Sequence, residues 1–497
     1  MPGRVYSTAA PVGGWNAREP EALMDEKDAI RLDNWFPGDS EVVGRKGYTL
    51  FVSSGIGTGI VKTLAPYSSG GTDKLLACTN GAIYEISSGT ASSALASSLT
   101  NDEWQYVMFG GRLLMVNGSD APRDYNGTAI ASTSWTGSGL TIANLFAITA
   151  FKGRVYLLEK NTQNVWYGGV GAVTGSLTKF DLSGVAGSFG GTVAAIGSVT
   201  NDGGDGVDDL LVVMMSTGDT LIYQGSDPGV DFALVGVFRL GSPVGRRPLV
   251  RIGGELSAIT RDGLIPMARM LRTGRAKDDT AMTDKIRSAF DDSLATFGTD
   301  AGWEVCFYPL GNKLFVNIPI SGGNHQQYVM NTATGAWCRY VGINAYTWCV
   351  FNDELYFGGK DGKVYQAETG FSDNGTPILL DGQQAYTFMR ARGVLKLISA
   401  MRLTFRASSN AQASLILNTD FNNRSRSVSF KISSGVATSW DEAEWDSFTW
   451  GGAEKTIGKW KYVVGKGYCA SVRVTASVNT GVAWQDTSYQ YQSAGML

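Results

Sequence analysis

A short phrase recurs along this chain: a turn of Gly, Asn or Asp, one charged residue, a strand-like run, a second turn and another strand. It is clearest at Phe109-Gly110-Gly111-Arg112-Leu113, Phe151-Lys152-Gly153-Arg154-Val155, Ile252-Gly253-Gly254-Glu255-Leu256, Leu310-Gly311-Asn312-Lys313-Leu314 and Phe351-Asn352-Asp353-Glu354-Leu355, with weaker copies near Gly71 and Asp208. Successive starts lie roughly 40 to 60 residues apart, the length that one four-stranded propeller blade occupies. The second half of each copy runs into a dipeptide suited to positive φ, followed by a β-favouring pair. Asn80-Gly81 precedes Ile83-Tyr84, Gly218-Asp219 precedes Ile222-Tyr223, Asp262-Gly263 precedes Leu264-Ile265, and Asp361-Gly362 precedes Val364-Tyr365. These features predict an all-β chain built on a β-propeller of about six to eight blades. One or two β-sandwiches with Gly-rich hairpins would need the same short strands and turns.

Four regions are expected. Residues 1–50 show little strand periodicity and read as an extended arm with a short helical turn near 21–31. Residues 51–371 hold the hairpin repeats. The Ser-Asp-Asn-Gly-Thr-Pro run at 372–377 is a turn-rich break. From residue 376 to 497, alternating segments such as Ala413-Ser414-Leu415-Ile416-Leu417 suggest a carboxyl-terminal β-sandwich. One stretch breaks the β pattern: Met282, Ile286, Phe290, Leu294 and Phe297 recur at helical intervals, which predicts an amphipathic helix inserted near 280–298, with Thr280 or Thr283 as its cap.

The net charge of −3 and pI near 5.5 argue against a broad nucleic-acid-gripping face. Five cysteines, spread widely and without Cys-x-x-Cys spacing, suggest neither a disulfide framework nor a zinc ribbon. The amino terminus lacks the apolar core of a signal peptide, and no run of about eighteen uncharged apolar residues occurs. Synthesis in the cytoplasm without membrane insertion is therefore expected.

Candidate chemistry is sparse. The single histidine, His325, sits among Gly322, Gly323 and Asn324 and reads as a surface residue. A multi-histidine metal site or a Ser-His-Asp triad is hard to build around it. The segment from Asn201 to Leu210 resembles the calcium loop of integrin-type propellers, with Asn201, Asp205 and Asp209 at alternating ligand positions. Gly203 stands where a further oxygen ligand is expected, so an ordinary acidic turn is the plainer reading. Calcium is the only cofactor suggested. Arg269, Arg272, Arg275 and Lys277 place four positive charges within nine residues; a solvated loop, a subunit contact or a DNA-facing constriction would each use them. A glycosidase needs only two well-placed carboxylates, and Trp303, Trp337, Trp348, Trp440, Trp445 and Trp450 would serve a sugar groove or a packed core equally well. The Ser-x-Asp-x-Gly-x-x-Trp boxes of sialidase propellers are absent.

Several motifs together carry a family resemblance. Trp15-Asn16-Ala17-Arg18-Glu19-Pro20, Asp28-Ala29-Ile30-Arg31-Leu32-Asp33-Asn34-Trp35-Phe36-Pro37 and Arg45-Lys46-Gly47-Tyr48 open the chain. Tyr223-Gln224-Gly225-Ser226-Asp227-Pro228 with Val237-Phe238-Arg239-Leu240-Gly241, and Gln327-Tyr328-Val329-Met330-Asn331 leading to Gly335-Ala336-Trp337-Cys338-Arg339, follow later. The set resembles structural proteins of short-tailed phages and related prophages, in particular the tail nozzle or hub. The resemblance implies a ring of about six copies beneath the portal and adaptor, contacting a tail fibre or tip protein. Genomic DNA would pass without tight binding. It implies a place in the virion tail and brings no catalytic residues. A glycan-binding or glycan-cleaving tail propeller for host attachment is the alternative.

Overall fold

The computed structural model describes residues 3–186, 190–200, 209–268, 281–407, 411–423, 427–432 and 455–493. The chain divides into two compact units: Met1–Thr49, Gln327–Ile343 and Ala367–Leu497 form one, and Leu50–Gln326 with Asn344–Gln366 the other.

The unit that begins at Leu50 contains the hairpin repeats. Its sheets are antiparallel meanders that start with the strands Thr63–Ser69, Gln105–Phe109, Leu145–Phe151, Val193–Thr200, Leu249–Ile252, Glu304–Tyr308 and Ala345–Phe351. Each first strand packs beside the next, and Ala345–Phe351 packs beside Thr63–Ser69, closing a ring of sheets. This is the arrangement of a β-propeller. The strand Tyr48–Val52 is the sheet neighbour of Val364–Ala367, so the chain's earlier segment completes its last meander.

The expected turns form as the dipeptides dictate. Phe109 pairs with Arg112 across Gly110 and Gly111, at φ 57° and 73°, and Thr79 pairs with Ala82 across Asn80 and Gly81, at φ 53° and 67°. Two positive φ values in a two-residue loop match the right-handed twist of the strands it joins. A single meander has two apolar faces and cannot cover both. Neighbouring sheets therefore share cores: Leu113, Met115 and Tyr125 pack with Ala65, Leu76 and Trp104, while Leu211, Val213 and Tyr223 pack with Tyr156, Leu158 and Val165.

The inserted helix spans Arg287–Phe297, behind a short 3-10 turn at Asp284–Ile286. Ile286, Phe290 and Leu294 are buried, and Phe290 meets Trp303 edge-on at 5.9 Å. Thr283 stands at the head of the 3-10 turn but makes no side-chain cap there; its hydroxyl instead accepts the Leu264 N–H at 3.2 Å. Thr280 lies outside the described residues. Among the described residues no helix is long and apolar enough to cross a membrane.

In the other unit, the structure replaces the expected arm with strands. Arg4–Ala9 pairs antiparallel with Val482–Ser493, Gly14–Trp15 runs parallel to Asp28–Asp33, and Trp35–Pro37 pairs with Val42–Gly44. No helical turn forms at 21–31; the segment is a turn leading into the strand Asp28–Asp33. The burial that periodicity missed comes from Trp15, Leu32 and Trp35, which lie in strands whose buried positions do not alternate. The region boundaries differ accordingly. Residues 1–49 and 327–343 join the carboxyl-terminal segment in one unit, because strand pairing there is long-range in sequence.

Within this unit, Lys396–Ala407 lies between Lys455–Gly467 and Val482–Ser493, while Ala470–Val478 lies between Thr376–Gln384 and Ala411–Thr419. A bulge between Ile398 and Ala400 shifts the alternation, so that Ile398 and then Met401, Leu403 and Phe405 all point inward. Phe405 meets Phe430 at 5.5 Å and Trp484 at 6.4 Å.

Candidate functional site

Side chains placed by four of the quoted motifs converge in one unit. Arg339 Nε and Nη2 donate to the two carboxylate oxygens of Asp33 at 2.8 and 2.7 Å, and the guanidinium lies 5.6 Å from the Trp15 ring. Trp15 packs edge-on against Tyr328 at 5.0 Å. The Asn34 N–H donates to the Arg339 carbonyl, and Arg45 Nε donates to Asn34 Oδ1 at 2.8 Å. Arg45, whose side chain is fully buried, then donates bidentately to Asp373 at 2.7 and 2.6 Å. Asn331 Nδ2 reaches the Pro37 carbonyl at 2.9 Å. Burial works against the Arg339 charge, but Asp33 outweighs it and holds the guanidinium above its ordinary value. These motifs therefore hold distant segments together; their polar atoms are occupied by one another.

The propeller unit holds a different kind of cluster, on the segment Gly241-Ser242-Pro243-Val244-Gly245-Arg246-Arg247-Pro248. Gly245 has φ +78°, and a Cβ there would lie 2.5 Å from the Trp303 carbonyl oxygen, so the chain passes only because the residue is glycine. The two arginines that follow reach across the space encircled by the first strands. Arg247 Nη1 donates to Glu304 Oε1 at 2.7 Å and to Thr347 Oγ1 at 3.3 Å. Its Nη2 donates to Thr63 Oγ1 at 2.9 Å and to the Trp104 carbonyl at 2.6 Å. Arg246 Nη2 donates to the carbonyls of Asn117 at 2.9 Å and Phe146 at 3.1 Å, while Gln105 Nε2 holds the Arg246 carbonyl at 2.5 Å. Five of the first strands around that space are thus tied to one dipeptide that precedes a sixth, Leu249–Ile252.

The electrostatics of the two arginines differ. Burial disfavours the Arg247 charge, but the adjacent Glu304 carboxylate outweighs it and the guanidinium is held above its usual range. Burial dominates at Arg246, which is pushed below its ordinary value even though Glu103 pulls the other way. Glu304 is fully engaged, since its second oxygen accepts the Trp348 N–H at 3.0 Å. Tyr346 donates to Glu103 Oε1 at 2.6 Å, and burial together with that carboxylate raises the phenol. On one side of the arginines lies a cavity of about 350 Å³, lined by Lys62, Glu103, Asp300, Trp303, Glu304 and Tyr346. A second cavity, of about 190 Å³, is lined by both arginines together with Arg251.

The sites expected from sequence fare differently. Asn201, Asp205, Arg269, Arg272, Arg275 and Lys277 lie outside the described residues, as do Trp440, Trp445 and Trp450. Asp209 opens the strand Asp209–Met215, and its carboxylate lies 3.5 Å from Lys152 Nζ. Among the described residues, no group of three or more His, Cys, Asp or Glu is placed to hold a metal ion. Trp303, Trp337 and Trp348 are buried. His325 is 4% exposed rather than at the surface, and it packs edge-on against Tyr346 at 5.4 Å. The ring is received by a glycine far from its own loop in sequence: a Cβ on Gly302 would collide with the imidazole. Sequence reading passed over Arg246 and Arg247 because they lie between hairpin copies; the only local signal is their enclosure by Pro243, Gly245 and Pro248.

No family model and no curated protein matches the chain. Among solved structures, it is similar to BBS1N in complex with ARL6DN, at 10% identity and TM-score 0.40. That likeness covers 65% of this chain and 97% of the other in mercury-soaked crystals, and 66% and 99% in lead-soaked crystals. It is also similar to PorZ, a bacterial surface component of the type-IX secretion system of Porphyromonas gingivalis, at 13% identity and TM-score 0.38, covering 67% of this chain and 38% of that one. At such identities and scores, neither likeness bears on the activity or partners of this chain.

Proposed function

We propose that this chain is a virion structural protein that forms the tail nozzle or hub ring below the portal and adaptor, a conduit for DNA ejection. The observation that carries this reading is the convergence of the phage-like motifs: Trp15, Asp33, Asn34 and Arg45 from the opening segment meet Tyr328, Asn331 and Arg339 from the later one. Four of the quoted motifs, far apart along the chain, thus belong to one folded unit, and the run at 223–241 belongs to the other. The propeller has seven blades, one for each of the first strands that close on one another, and the segment from residue 376 onward forms a β-sandwich with the inward-facing Phe405, Phe430 and Trp484 between its layers.

In this reading the protein is not an enzyme and needs no cofactor. It works as a ring of about six copies with adaptor and fibre or tip partners. The net charge of −3 suits a wall past which DNA slides, because each neutralised phosphate would add counterion-release affinity. Arg246 and Arg247 stopper the space encircled by the blades, so the DNA path runs around the assembly axis between copies and not through a propeller. Light scattering on purified protein, alone and mixed with isolated tail-adaptor rings, tests the reading; coaxial rings of about six copies are expected.

A second reading, a glycan-binding or glycan-cleaving tail propeller, is favoured by the cavity of about 350 Å³, whose walls combine Glu103, Asp300 and Glu304 with Trp303 and Tyr346. A stable monomer that ignores the adaptor but binds or cleaves host polysaccharide would select it and refute the nozzle.

A further inference from the structure

The smaller cavity beside the arginine dipeptide is unusual in its charge. Its walls include Tyr106, Thr149, Ser198, Arg246, Arg247 and Arg251, and no carboxylate lines it. A chain with more acidic than basic residues has here gathered three cations around about 190 Å³. Only Arg247 has a matching anion, Glu304. Arg246 gives its hydrogen bonds to the backbone carbonyls of Asn117 and Phe146. Arg251 gives its own to the Ser198 carbonyl and hydroxyl. Among the described residues no carboxylate lies within ion-pair distance of Arg246 or Arg251.

Nε of Arg246 and Nε of Arg247 are both buried, and neither has a hydrogen-bond acceptor. A buried donor left unpaired is costly, and one on a charged group more so. Those two Nε atoms are enclosed by protein, so what the cavity meets is the charge of three guanidinium groups with no anion in its lining, and that defines the complement: a compact acceptor with several oxygens and negative charge. Guanidinium groups bind tetrahedral oxyanions through paired N–H donors. The volume holds an ion of that size with a few waters, each occupying about 30 Å³ in the liquid, and excludes a nucleic-acid duplex.

We propose that this cavity binds a small oxyanion of the phosphate class, held by Arg246 and Arg247 from within and by Arg251 at the exposed side. The anion neutralises the one arginine that burial weakens, at the point where the ring of sheets is tied together.

Isothermal titration calorimetry of inorganic phosphate into the full chain, at constant ionic strength with chloride as control, tests this. Saturable binding of one anion per chain is expected. Arg251→Gln, at an exposed position, and Arg246→Gln should each weaken it by about tenfold or more. Should Arg246→Gln fail to fold, Arg251→Gln alone decides. Competition by deoxyadenosine monophosphate would show that a phosphomonoester enters, and failure to compete, with phosphate still bound, would assign the site to the free ion. Absence of saturable binding by both phosphate and sulfate would overturn the proposal. So would undiminished phosphate binding by the Arg251→Gln protein.

Discussion

Replacing Glu304 by glutamine tests whether the arginine dipeptide ties the propeller together. The substitution keeps the shape and removes the charge. Glu304 presents one oxygen to Arg247 and the other to the Trp348 N–H, so it serves two donors with two acceptors. A glutamine amide has a single oxygen; its NH₂ must face either the guanidinium or the Trp348 N–H, donor against donor. Arg247 would keep only neutral acceptors: Thr63, Trp104 and Thr347. The side chains of Arg247 and Glu304 are only 16% and 10% exposed, so solvent does little to screen the loss. Removing one partner of a buried pair costs about 3–5 kcal/mol, and the residual exposure and neutral acceptors argue for the lower end, about 3 kcal/mol. Urea unfolding followed by tryptophan fluorescence reads this directly. A double-mutant cycle with Arg247→Gln should return a coupling of about 2 kcal/mol. A Glu304→Gln protein within about 0.5 kcal/mol of the parent would refute the reasoning, because such a value is ordinary for a surface substitution.

Three further outcomes are expected. Gly81→Ala, at φ +67° with its new Cβ 2.6 Å from the Leu99 carbonyl oxygen, should lower stability by about 2 kcal/mol, whereas Gly70→Ala, at φ +59° in open space, should lose only about 1 kcal/mol; paired thermal melts compare them. Burial lowers the His325 pKa, with the Asn344 side chain and Ala301 backbone opposing only in part, so the unfolded chain takes up the proton first. Stability should therefore fall as pH drops below the ordinary histidine value of 6.5, level off below the depressed folded value, and lose this component in a His325→Gln protein, as seen in melts across a pH series. Burial pushes the Cys349 thiol up to about 12 and the Cys78 thiol upward as well, so thiol reagents should label neither in the folded protein and both in denaturant.

The hairpins were legible because their information is local. Turn dipeptides such as Gly110-Gly111 set the backbone themselves, and strand alternation next to them sets which face is buried. The inserted helix was legible for the same reason, through Ile286, Phe290 and Leu294 on one face. Its cap was not: the choice of Thr283 to serve Leu264 depends on where the strand Gly263–Pro266 lies.

The opening fifty residues show the limit from the other side. Asp28–Asp33 is a strand because Thr376–Gln384 lies alongside it, some 350 positions later in the chain. Its own composition carries no such instruction. The same holds for Arg45, unremarkable as one basic residue in a row and fully buried once Asp373 and Asn34 surround it.

Sequence alone determined that this chain is β-rich, repeats a hairpin and carries a helix between repeats. Each of these is written in residues close together. The tertiary structure decided which segments share a unit, that His325 is buried, and that Arg246 and Arg247 stand where the sheets meet. Those facts depend on separations in space that folding collapses, and a charge acquires its meaning only from the neighbours that burial leaves it.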